Sequence, residues 1–167
     1  MQTRNLVLTA LFAALIFTAT MLHVQNGFGG VLHAGDAFIF LAATMLPFPL
    51  AMPAAAIGAG LMNFAVGSPF ILFTILIKPL LTLPFTGRSN KILGKKRNVI
   101  APFLAALMNA SLYFFAYAFL FDWGGALGQI PSSVIQALLS ILVFYAAAAA
   151  LDRLKIKERL AKGGGLR

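Results

Sequence analysis

Apolar residues fill this chain in long runs, and the polar residues between them are few and gathered near the ends of those runs. A bilayer core of about 30 Å takes about 20 helical residues, so each run predicts a crossing helix. The first covers residues 5–22. It is too long for the apolar part of a signal peptide, and no small-x-small cleavage site follows it. The second stretch, 36–66, is broken by Pro47, Pro49 and Pro53. At about 1.5 Å per residue a single helix of that length overshoots the bilayer by half, and proline interrupts the helix ladder. The pattern predicts two short helices, 36–46 and 51–66, joined by a tight proline turn. Further helices are predicted at 69–85, 100–121 and 131–151. Pro102 and Pro131 fall in first turns, where a missing N–H costs little.

Composition sharpens the picture. The chain has 167 residues, 60% hydrophobic and only 10% charged, against about 25% charged in an ordinary soluble domain. The expected class is an all-α integral membrane protein: a six-transmembrane-helix bundle forming one membrane domain over 1–167, with a basic tail at 152–167. The absence of cysteine excludes a disulfide scaffold and a thiolate metal site. A net charge of +9 suggests nucleic acid in a soluble protein. Here it reports orientation instead. Arg4, the cluster Arg88, Lys91, Lys95, Lys96 and Arg97, and the tail cations Arg153, Lys155, Lys157, Arg159, Lys162 and Arg167 are twelve of the 13 cations. With six spans all twelve share one side, and the positive-inside rule then makes both termini cytoplasmic. The tail, ending in Gly163, Gly164 and Gly165, reads as a solvated end near anionic lipid.

The thirteenth cation, Lys78, falls about nine residues into the fourth helix, near mid-membrane. Ionisable residues there are costly and mark functional sites; the other reading is a structural lysine paired with a carboxylate or snorkelling to an interface. Pro79 and Pro84 loosen the helix around it. Other polar residues share its face or recur on neighbouring helices: Thr74, Lys78 and Thr82 on the fourth, Asn109, Tyr113 and Tyr117 on the fifth, Ser133, Gln136 and Ser140 on the sixth. Asn63 ends the third. In the orientation above, Asn63, Tyr113, Tyr117, Ser133 and Gln136 fall in the outer half. Such residues also glue helices together, but three stripes at a common depth predict a cavity open to the outside, suited to a small, flat, polar molecule.

The connection His23-Val-Gln-Asn-Gly-Phe-Gly-Gly-Val-Leu-His-Ala-Gly-Asp36 is rich in glycine, and a loop of that length is expected to work as a lid or binding loop. Asn26, Phe28, His33 and Asp36 offer contacts there. His23, His33 and Asp36 make a poor metal site, and no metal or cofactor is expected. Asp36 caps the second helix, lines the site, or does both. Ala10, Ala14 and Thr18, spaced by four, leave a strip of small side chains that lets another helix approach. Ala56 and Gly60 form a second strip, expected to pack internally.

The length, the spans, the Ala10-x-x-x-Ala14 strip, the segment Gly29-Gly-Val-Leu-His-Ala-Gly-Asp-Ala-Phe-Ile-Phe-Leu-Ala42, the stretch from Ala54 to Asn63 and Phe73-Thr-Ile-Leu-Ile-Lys-Pro79 together resemble the substrate-binding S components of energy-coupling-factor (ECF) transporters. The resemblance covers nearly the whole chain. It implies a six-helix fold in a prokaryotic cell membrane, with a vitamin or similar micronutrient bound near the outer face and the first loop as a gate. It also implies partners: a transmembrane T component contacted by the small-residue strip, and two cytoplasmic ATPases. Toppling of the S component within the membrane would carry the substrate. Metal-specific members use an N-terminal histidine motif, and Met1-Gln-Thr-Arg4 has none, which favours an organic substrate.

The chain has no Gly-x-x-x-x-Gly-Lys-Ser/Thr phosphate loop, so energy must come from partners. It carries no recognisable catalytic motif, and an enzyme is not expected. The substrate-binding set is Asn26, His33, Asp36, Asn63, Lys78, Asn109, Tyr113, Tyr117, Trp123 and Gln136, with Lys78 as electrostatic anchor, shared with Asp36 through the substrate. Flavin, pyridoxine-type, thiamine-precursor and queuosine-precursor ligands stay open, with a lean toward a pyridoxine- or pyrimidine-type molecule. The competing class is a stand-alone secondary transporter or channel for a small polar solute.

Overall fold

The computed structural model describes residues 3–27 and 30–162. Phe28 and Gly29 of the first loop, and Gly163, Gly164, Gly165 and Arg167 of the tail, lie outside them. Helix α1 (Thr3–Met21) leads into a small antiparallel hairpin, β1 (Val24–Gln25) and β2 (Val31–Leu32), in which Val24 faces Leu32. Then come α2 (Gly35–Met45), α3 (Phe48–Ala65), α4 (Ile71–Leu80), α5 (Lys96–Leu120), a short α6 (Trp123–Gly128), α7 (Ile130–Arg153) and α8 (Ile156–Lys162).

Among the described residues, four helical stretches are long and apolar enough to cross a bilayer: Thr3–Met21, Phe48–Ala65, Lys96–Leu120 and the α6–α7 unit Trp123–Arg153. The other two apolar helices, α2 and α4, have 11 and 10 residues, so they reach only about half of a 30 Å core at about 1.5 Å per residue. The architecture is all-α and multi-pass, with four full-length helices where the run lengths predict six crossings.

Helix α2 sits in the middle, against α1, α3 and α7. Apart from Phe38, all of its residues are buried, as expected of a helix that is apolar on every side. Phe40 from α2, Phe85 from the turns after α4 and Phe144 from α7 form the aromatic centre of the core, with ring centroids 5.2, 5.7 and 5.9 Å apart. Small residues set the closest helix approaches. A Cβ on Gly58 of α3 would lie 2.6 Å from the Ala13 carbonyl of α1, and one on Gly60 would lie 2.8 Å from Ile75 of α4. Gly60 thus packs internally, as expected.

Several boundaries differ from the sequence reading. Helix α3 starts at Phe48 rather than 51, because Pro47 stands at its N-cap and Pro49 occupies the first turn, both tolerated places. Helix α4 stops at Leu80 rather than 85: Pro79 ends the ladder, and tight turns from Lys78, Pro79, Leu80 and Thr82 carry the chain on. Lys78 therefore lies in the last turn of a short helix, not midway along a long one. Helix α5 begins a turn early, at Lys96, which leaves Pro102 inside it. The stretch 121–130 holds α6, whose N-cap Asp122 accepts a 2.8 Å bond from the Gly125 N–H. The basic tail folds into α8, with Ile156 and Leu160 against the core.

The three basic segments meet at one end of the bundle. Arg4 donates to the Leu160 carbonyl at 2.8 Å. Asp152 accepts from the Ile92 and Leu93 N–H groups at 2.7 and 3.0 Å, and Lys157 donates to the Thr44 carbonyl at 2.5 Å. Buried Asn98 ties down the loop that carries the middle cluster, bonding Thr86 through both its main-chain groups and the Ile92 carbonyl. The hairpin lies at the other end of α2 and α7.

Candidate functional site

The site begins with an ion pair. Asp36, in the first turn of α2, meets Lys78, in the last turn of α4, at 2.6 Å, and both are buried. The helix ends suit them: a carboxylate near an N-terminus and an ammonium near a C-terminus each oppose the local helix dipole. Asp36 caps nothing. The N-cap of α2 is Ala34, and its side chain makes no cap bond. Lys78 also donates to the Asn109 amide oxygen of α5 at 3.1 Å. Its ammonium lies 5.1 Å from the Tyr113 ring centroid, within cation–π range. The Tyr113 hydroxyl in turn meets the Thr74 hydroxyl at 2.7 Å. Two of the stripes read from sequence, those of α4 and α5, thus close on one ammonium, and Asp36 of α2 completes its surroundings.

The hairpin roofs this cluster. Asn26 donates to the Ser132 hydroxyl at 2.7 Å and accepts from the Gly30 N–H at 3.1 Å. Gly30 must lack a side chain, since a Cβ there would sit 1.8 Å from the Ser132 oxygen. Gln136 of α7 holds the second strand's exit. Its amide oxygen accepts the His33 N–H at 3.0 Å, while its nitrogen donates to the His33 carbonyl at 2.9 Å and to Ser140 at 3.2 Å. The His33 Nδ1 accepts from the Gly35 N–H at 3.2 Å, which puts the neutral ring's proton on Nε2. Burial lowers the His33 imidazole to about 4; neighbouring Asp36 opposes this shift and Lys78 reinforces it.

Beside the cluster, Phe70 of the α3–α4 connection packs on Tyr117 at 4.4 Å and on Tyr113 at 6.1 Å. Tyr113, Tyr117, Gln129 and Ser133 help line a cavity of about 70 Å³ between α5, α6 and α7. That is room for about two waters, each taking about 30 Å³, whereas ligand pockets run from about 300 Å³. A vitamin-sized ligand requires this region to open.

Of the ten residues read as substrate-binding, the structure gathers Asn26, His33, Asp36, Lys78, Asn109, Tyr113 and Gln136 under and around the roof, with Tyr117 at the aromatic flank. Two stand apart. Trp123 is 63% exposed and touches Phe114. Asn63 bonds the Ala59 carbonyl of its own helix at 3.1 Å. Lys78 is not held apart from Asp36 by a gap for substrate; the two bond directly. Ser132 was missed, although Ser132, Gln136 and Ser140 repeat at i, i+4, i+8 and are all buried. Among the described residues no three His, Cys, Asp or Glu side chains gather as metal ligands. On α1, Ala10, Ala14 and Thr18 are exposed and face away from the bundle.

A family model described as "ECF-type riboflavin transporter, S component" matches residues 1–153. No curated protein matches the chain.

Proposed function

The chain belongs to the S components of ECF-type transporters, and from that premise we propose that it captures a flavin-type vitamin from outside the cell for ATP-driven uptake by partner subunits. S components bind a small vitamin and work with T and ATPase subunits in the membrane. The family description supports a flavin, and nothing favours the pyridoxine- or pyrimidine-type lean.

The observation that carries the proposal is the roofed cluster of Lys78, Asp36 and Asn109 beside Tyr113. A flavin has a flat ring system with alternating carbonyl and N–H groups on one edge, and a hydroxylated chain. Lys78 and Asn109 donate and accept at such an edge, Asp36 accepts from hydroxyls, and Phe70, Tyr113 and Tyr117 offer ring faces. In the closed form the ion pair and the hairpin occupy this space. Ligand entry lifts the roof and exchanges the Lys78–Asp36 contact for contacts to substrate, so the charges remain partnered throughout. The small strip on α1 is the face offered to the T component, and the basic end lies in the cytoplasm.

The test is native mass spectrometry of protein purified from riboflavin-containing medium, with thermal shift across flavin, pyridoxine and thiamine ligands. Co-purifying flavin, and stabilisation by riboflavin above the others, is the expected result. Stabilisation by pyridoxine alone, or by no vitamin, overturns the assignment. Uptake into liposomes by this chain without partners would favour the stand-alone carrier.

A further inference from the structure

A second, larger space lies at the opposite end of the bundle. A cavity of about 1060 Å³ opens between the C-terminal end of α2, the start of α3 and the loop after α4. Arg88, Arg97 and Lys157 line it, and among the described residues no acidic side chain does. Four acids exist in the whole chain, and three are engaged elsewhere: Asp36 with Lys78, Asp122 at the α6 cap, Asp152 with the Ile92 and Leu93 N–H groups. Among the described residues none of the three cavity cations has a carboxylate within ion-pair distance.

Lys157 is the most telling. It is 5% exposed, yet among the described residues its ammonium donates to one main-chain carbonyl, that of Thr44. An ammonium has three donors, and burying a charge without a counter-charge is costly. Burial pushes its pKa down to about 8, with Asp152 opposing. Arg97 gives two of its five N–H donors to the Pro84 and Leu83 carbonyls, which fixes its guanidinium at the rim and leaves the others for an anion. The same rim is apolar on its outer side: Phe48 is 47% and Leu83 42% exposed, as suits side chains that face acyl chains. Cations over an apolar lip, at the end of membrane helices, match an anionic headgroup above its own tails.

We propose that this cavity binds the phosphate headgroup of an anionic phospholipid, with Arg88, Arg97 and Lys157 around the phosphate and the acyl chains against Phe48 and Leu83. The lipid supplies Lys157 with an ion-pair partner at contact distance, which Asp152, held by the Ile92 and Leu93 N–H groups, does not, and joins the α2–α3 corner to the loop after α4. The site is separate from the roofed cluster and does not depend on which vitamin the chain carries.

The experiment incubates the full chain in detergent with phosphatidylglycerol and phosphatidylcholine of matched acyl chains, and counts retained lipid by native mass spectrometry. Phosphatidylglycerol is retained in preference, and its affinity falls about fivefold for each cation removed. Arg88→Gln is the cleanest variant, because among the described residues the Arg88 side chain makes no hydrogen bond or ion pair; Arg97→Gln is the second. Equal retention of the two lipids, or full phosphatidylglycerol retention in both variants, overturns the proposal. So does displacement by millimolar inorganic phosphate, which would make the site one for a soluble anion. If neither lipid is selected and Arg88→Gln instead blocks assembly with the T and ATPase subunits, the surface is a protein interface and the lipid assignment is wrong.

Discussion

At the scale of single residues, the pair Lys78–Asp36 decides most. Removing one partner strands a buried charge, which costs about 3–5 kcal/mol, whereas replacing both is far milder. Lys78→Met is therefore expected to lower unfolding stability in detergent by that order, and Asp36→Asn added to it to recover most of the loss. A double-mutant cycle by thermal or denaturant unfolding measures this; additive losses would mean that the two do not interact. His33 gives a pH signature. Its folded pKa is about 4 against an ordinary 6.5. Between those values the unfolded chain binds a proton that the folded chain refuses, so stability falls as pH drops through the window and levels off below it. The expected loss is up to about 3 kcal/mol, and His33→Gln should flatten the melting profile between neutral pH and the lower limit. The sequence made both residues visible as scarce polar groups in or beside apolar runs. It could not reveal that Lys78 bonds Asp36 directly, because the partner lies 42 positions away.

At the scale of elements, the apolar runs were legible because a bilayer imposes length and composition together. What escaped was short or set by tertiary context. Strands of two residues leave no periodicity to read. Helix α8 was hidden by its charges: its cations suggested a solvated tail, while Ile156 and Leu160 carry its packing. Ser132 was overlooked because Ser133 beside it fits a looser spacing. The small strip on α1 was read correctly as smooth, and its exposure separates two faces of one helix. Ala13 meets Gly58 inside the bundle, whereas Ala10, Ala14 and Thr18 look outward. Ala14→Phe is accordingly expected to leave vitamin affinity within about twofold, since outward substitutions cost little, and to abolish transport in liposomes holding the T and ATPase subunits. Lost affinity with intact assembly would reverse that assignment.

At the scale of the whole molecule, the two ends do different work: a roof of hydrogen bonds at one, a belt of cations at the other. The roof is held through Asn26–Ser132 and His33–Gln136, so pinning it shut should exclude substrate. The chain has no native cysteine, which makes Asn26→Cys with Ser132→Cys a clean pair. Oxidised protein is expected to lose vitamin binding by tenfold or more, and reductant to restore it; binding unaffected by the crosslink would show that entry does not pass the hairpin. Helix α2 carries a further consequence, for biogenesis. Eleven residues with a carboxylate in the first turn are too short to span the bilayer core on their own, apolar as the rest of the helix is. Helices α2 and α3 are therefore expected to enter the bilayer together, as one hairpin about the Pro47 corner. Asp36 gains its counter-ion only when α4 is in place, so a chain truncated before Lys78 is expected to be degraded faster than the full chain, which a pulse-chase measurement checks.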